Sequence, residues 1–211
     1  MTPAQLAKAA KNAANLDLFT RNILSVYYAA NPPAVQHGGR WYADAMEISA
    51  NLAATYGVTP EQAAGVIAST SPQKDWGGNV VLAERILQNH KAGITAVAGK
   101  GYLTLGLRKC DAILALDNPT PSDVQTVLNG QKISNFFLAI LGNGAAVCVD
   151  GHAFNIAQHG LKRVGISSAG SLTPLQYNIV ADAYRAAAAI LGITGTACQA
   201  VTWVTYREFT K

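Results

Sequence analysis

The chain carries little charge. Asp, Glu, Lys and Arg make up 13% of its 211 residues, well below the usual share for a soluble domain. Half of the residues are hydrophobic, enough for a packed core, which excludes a disordered segment. Cysteine is scarce as well. Cys110, Cys148 and Cys198 are odd in number and widely spaced, with no C-x-x-C pair. That pattern argues against a disulfide framework, a zinc site and an iron–sulfur cluster. No metal or other cofactor is expected, and a reducing cytoplasm is the simple assignment. Long apolar runs are missing: none approaches the ~18 residues that cross a bilayer. Residues 1–19 hold no apolar stretch of the secretory kind, so neither a signal nor a membrane partner is expected. Alternating strand patterns are also absent, with 145–149 the one extended candidate. Net charge is +4 and the isoelectric point about 9.0, a modest lean toward polyanions such as nucleic acid.

What the sequence does contain is helix punctuation. A Ser or Thr followed three residues later by Gln forms a capping box, in which each side chain satisfies the other residue's free amide. The pattern occurs at Thr2–Gln5, Thr59–Gln62, Ser122–Gln125, Thr173–Gln176 and Thr196–Gln199. Three of these place Pro first in the helix, where its missing N–H costs nothing. Gly57 and Gly192 mark stops after helices predicted over 41–56 and 174–191. Between the caps, apolar residues recur at three- and four-residue steps, as in Leu16, Phe19, Ile23, Leu24 and Tyr27. The fold class predicted is all-α, with about nine or ten helices. The size suits one compact unit over 1–211, or two small helical lobes sharing a cleft. Residues 30–40, with two prolines and two glycines, are expected to form a flexible loop.

One stretch is less ordinary. Lys132 stands in an otherwise apolar segment, and Asp150 follows eighteen positions later in Val149-Asp150-Gly151-His152. Asn129-Gly130 is a tight-turn dipeptide between helices predicted over 123–128 and 133–141. Such a turn offers backbone amides at a helix N-terminus, an arrangement suited to phosphate. Lys132 in the first turn opposes the helix dipole, so a nearby anion would explain it. Asp150 heads a helix predicted over 151–158, where a carboxylate is favoured; an ordinary N-cap is the plainer role. His152 either orients Asp150 or caps a buried carbonyl. Trp203 and Tyr206 read as core, and Arg207 as a partner for a carboxylate.

Taken together these residues resemble the helix-hairpin-helix DNA glycosylases of the endonuclease III type. In that superfamily a hairpin leads into a helix bearing a lysine, and an apolar linker ends in a V-D-T-H signature. Here Leu128-Asn129-Gly130-Gln131-Lys132, Ser134-Asn135 and Val149-Asp150-Gly151-His152 take those places at similar spacing. The segments 65–75, 105–113 and 199–207 resemble further family helices in the family's order, so the likeness spans 64–207. It departs from the pattern in three ways. The hairpin is two residues short and lacks one glycine, the signature threonine is Gly151, and no four-cysteine cluster follows. Residues 1–60 have no counterpart and are expected as helices packed with the C-terminal ones.

The resemblance implies a monomeric, two-lobed glycosylase fold without an iron–sulfur cluster, acting on DNA in a bacterial or phage-infected cell. It implies that Asp150 stabilises the positive charge that develops on the sugar as a flipped base departs. Lys132 would attack the anomeric carbon in a lyase step. Gln73 and Trp76, in a DNA-contacting loop with Asp75, would form a wedge that fills the gap in the duplex, and Lys74 in the same loop would contact phosphate. Lys109, Gly130, Gln131, Asn135 and His152 would contact DNA or the flipped nucleotide. Two alternatives are an enzyme of the same fold that acts on a hypermodified thymine, and a non-catalytic DNA-binding or inhibitory protein.

Overall fold

In the computed structural model, which describes residues 2–99, 103–165 and 172–209, local capping chemistry sets most of the helix starts. Thr2, Thr59 and Thr173 each accept from the amide three residues on and are answered by Gln5, Gln62 and Gln176. They open α1 (Pro3–Tyr28), α3 (Pro60–Thr70) and α10 (Pro174–Leu191). The remaining elements are α2 (Pro32–Tyr56), α4 (Trp76–Lys91), α5 (Ala96–Gly99), α6 (Thr104–Leu114), α7 (Pro121–Leu128), α8 (Gln131–Ile140), α9 (Gly151–His159) and α11 (Gly195–Phe209). Among the described residues there are eleven helices and no strand, so the protein is all-α. No single described helix is long and apolar enough to cross a membrane.

Several boundaries correct the sequence-based expectations. The loop expected over 30–40 is helical from Pro32 onward. Its start is set by Asn31, whose Oδ1 accepts from the Ala34 amide at 2.8 Å, with Pro32 and Pro33 in the first turn. The helix tolerates Gly38 because that residue is a contact point: a Cβ there would lie 2.5 Å from Val201 Cα. α7 is capped by Thr120 with Asp123 rather than by Ser122 with Gln125. At α11 the hydroxyl of Thr194, not Thr196, accepts the Ala197 amide, at 3.2 Å.

The chain divides into two compact units, 1–42 with 144–211 and 43–143. In the first, α1 packs on α9, α10 and α11. Ile23, Val26, Ile156, Tyr184 and Tyr206 are buried at its centre. The extended segment 146–149 is buried without becoming a strand, because side chains take its polar groups. Tyr177 Oη donates to Val147 O at 2.8 Å and accepts from Val149 N at 3.2 Å. Just upstream, Arg185 Nε donates to Ala145 O at 2.9 Å.

In the second unit α3 is the central helix. Every residue from Gln62 to Thr70 is buried, and α4, α6, α7 and α8 pack around it. Gly65 permits one of these contacts, since a Cβ there would meet Val124 Cγ1 at 2.8 Å. Gln62 links two elements. Its Oε1 accepts from the Thr59 amide at 2.9 Å, while its Nε2 donates to Leu116 O at 2.9 Å beyond the end of α6.

Candidate functional site

Asp150 is the N-cap of α9. Oδ1 accepts from the Ala153 amide at 2.7 Å, and Oδ2 accepts from the indole Nε1 of Trp203 at 3.2 Å. The carboxylate is therefore fixed at both oxygens, one by its own helix and one by α11. Trp203 is in turn covered by Arg207, whose guanidinium lies 4.6 Å from the ring centroid. This cation–π contact, rather than a carboxylate, is the partner that Arg207 finds among the described residues.

Aromatic side chains surround this carboxylate. Tyr42 Oη donates to Gln199 Oε1 at 3.0 Å. Burial pushes the Tyr42 phenol well above its ordinary range, and the nearby Cys148, Asp150 and Tyr177 add to the shift. The Tyr184 phenol is raised in the same way, first by burial and then, against the opposing Thr202 hydrogen bond, by Cys198 and Asp150. These phenols stay protonated and act as hydrogen-bond donors. His152 lies edge-on to Trp203 and Tyr206, with ring centroids 6.2 and 6.0 Å away. Its Nδ1 is buried with no hydrogen-bond partner, so it does not orient Asp150 through that atom. Trp203, expected in the core, is instead the residue that holds the carboxylate.

The other sequence-predicted residues lie in the second unit. α7 ends in Asn129, which adopts the left-handed conformation at φ 44°, and Gly130 is the N-cap of α8 with no side-chain cap. The turn thus places the left-handed residue one position before the glycine. Lys132 is exposed in the first turn of α8. Asn135 Nδ2 donates back to Gln131 O at 2.8 Å, within its own helix. Lys109 does not stand free as a phosphate contact. It is partly buried and its Nζ donates to Leu128 O, a carbonyl left open by the end of α7. That desolvation lowers its pKa.

The wedge-loop candidates form the turn into α4. Gln73 is exposed in the left-handed region at φ 61°, a conformation uncommon for a residue with a side chain. Lys74 is exposed beside it. Asp75 is the N-cap of α4, accepting from Gly78 N at 2.9 Å. That hydrogen bond, with a smaller effect from Lys74, holds its carboxyl below the ordinary value. Trp76 is partly buried, edge-on to Phe136 at 6.5 Å.

These features define an all-α protein of two compact units, with a helix-capping carboxylate held by an indole in the first and a helix–turn–helix hairpin in the second. The chain belongs to the family of unknown function DUF7178, whose model matches residues 5–210. No curated protein and no solved structure matches it.

Proposed function

We propose that the protein is a DNA N-glycosylase with a divergent helix-hairpin-helix glycosylase fold, in which Asp150 is the catalytic carboxylate. The observation that carries this proposal is the fixation of Asp150 by Ala153 N–H and Trp203 Nε1. An ordinary N-cap needs only the first bond, whereas a carboxylate that must face a developing cation gains from being held at both oxygens. Each carboxylate oxygen has a second lone-pair direction, so both bonds leave capacity for an attacking water. In the proposed reaction the C1′–N bond breaks and the base leaves as a protonated species. Water adds to C1′, and the proton it loses returns through solvent the one the departing base carries away, while Asp150 stabilises the oxocarbenium-like transition state. His152, whose Nδ1 is buried without a partner, packs edge-on against the Trp203 that holds that carboxylate. The uncapped start of α8 and the net charge of +4 support binding to a phosphate backbone. Lys132, exposed on α8, is the proposed amine of a lyase step: its nitrogen adds to C1′ of the abasic sugar, water leaves as the imine forms, and elimination breaks the C3′–O bond to release the 3′ phosphate.

Base release from a panel of damaged and hypermodified oligonucleotides tests the proposal. The wild-type chain is expected to release at least one base, and Asp150→Asn to keep DNA binding while losing release. Trp203→Phe is expected to keep binding and slow single-turnover release about 10–100-fold, the equivalent of one hydrogen bond to a charged group. Borohydride trapping should be lost in Lys132→Ala. DNA binding with no release from any substrate would mean that the protein is a non-catalytic binder.

A further inference from the structure

The second unit contains a cavity of about 320 Å³, at the small end of the range for ligand pockets. It holds on the order of ten water-sized groups. Its wall is mostly apolar, with Met46 and Ala50 from α2 and Ile140 and Leu141 from the end of α8. Two polar residues interrupt that wall. One is Glu61, in the first turn of α3; it is partly buried and has no hydrogen-bond or ion-pair partner among the described residues. The other is Ser49, 2% exposed, whose hydroxyl is buried without a partner.

The helix N-termini at the cavity do not make it an anion site. The capping boxes take the Thr59 and Gln62 amides at α3 and the Thr120 and Asp123 amides at α7, proline at the first position of each helix has no amide to offer, and no basic side chain lines the wall. The charge facing a ligand is negative, and the surrounding surface is hydrocarbon. A carboxylate beside apolar walls favours a cation that carries its own apolar body. The unsatisfied Ser49 hydroxyl adds one polar group that a ligand or its water could satisfy.

We propose that this cavity binds a small primary ammonium compound with a compact hydrocarbon body, its nitrogen paired with Glu61. The site lies wholly in 43–143 and does not depend on the role of Asp150.

The test uses the full chain and three probes of similar shape: cyclohexylmethylammonium, cyclohexylmethanol and cyclohexanecarboxylate. Methyl NMR can follow the site directly, because Met1 and Met46 are the only methionines in the sequence. The ammonium probe is expected to shift the Met46 and Ile140 methyl signals and to bind at least tenfold more tightly than the alcohol. The carboxylate is expected not to bind. Raising ionic strength should weaken the ammonium alone. Glu61→Gln should bring the ammonium and alcohol affinities together, and Ala50→Trp, at an exposed position on the rim, should block both. The proposal fails if no probe moves those methyls, or if the alcohol or carboxylate equals the ammonium. It also fails if a folded Glu61→Gln chain keeps the preference. The probe comparison on the wild-type chain needs no variant, so it decides the matter even if a variant misfolds.

Discussion

Gly38 and Gly39 are adjacent in α2 and chemically identical, yet their surroundings give opposite predictions. At Gly38 an added Cβ would sit 2.5 Å from Val201 Cα and 2.7 Å from Val201 N. Backbone cannot yield as a side-chain tip can, so Gly38→Ala forces α2 and α11 apart. Overpacking of this kind costs about 1–3 kcal/mol, more than the helix propensity that alanine returns. At Gly39 nothing lies within 4 Å of the added atom. Gly39→Ala therefore keeps only the propensity gain, about 0.5–1 kcal/mol of stabilisation. Urea unfolding of the two variants should move the midpoint in opposite directions. A stabilised Gly38→Ala would show that α2 and α11 do not approach at this point.

Helix ends provide the next test, at Gln62. A glutamate in this position is normally an equally good closing residue for a capping box. Gln62→Glu should nevertheless be strongly destabilising, because Gln62 has two tasks. Its Oε1 closes the box on Thr59, while its Nε2 donates to Leu116 O. The carboxylate can do only the first, and it places a buried anion against the carbonyls beyond α6. Loss of a buried donor and introduction of an unpaired charge together cost roughly 2–4 kcal/mol, read as a drop in the urea midpoint with little change in slope. Equal stability of the two chains would contradict the buried link from α3 to α6. The same distinction explains what could be read from the sequence. Thr2, Thr59 and Thr173 were legible as helix starts because their partners lie three residues away. The start of α2 carried a legible signal too, Asn31 before two prolines, but Gly38 and Gly39 made the segment read as loop. Only the distant contact with Val201 explains why a glycine stands there. Asp150 was legible as an N-cap. Its bond to Trp203 spans fifty-three residues, and no local pattern encodes it, so Trp203 read as core. Lys109 failed for the same reason: its acceptor, Leu128 O, lies nineteen residues downstream.

For the whole molecule, the two units differ in how the chain builds them. The second is one continuous segment, 43–143, whereas the first needs 1–42 brought together with 144–211. Assembly of the first therefore closes a loop of roughly a hundred residues, an entropic cost the second does not bear. Folding rates fall as contacts become less local, so the second unit should become protected first. The cysteines can report this. Cys110 lies in the second unit and Cys198 in the first, both fully buried. Burial pushes each thiol up to about 12, and the thiolate is the reactive form. In the native protein neither should react with a thiol reagent at pH 7, and raising the pH to 9 should change little. In unfolded chains both return to an ordinary thiol pKa of ~8.5 and label quickly at pH 9. Refolding from urea with timed pulses of alkylating reagent, followed by peptide mass spectrometry, should therefore show Cys110 losing reactivity before Cys198. Simultaneous protection would mean that the two units form in one cooperative step. Earlier protection of Cys198 would mean that α1 and the C-terminal helices associate before the intervening segment is organised, and that loop closure does not set the order of folding.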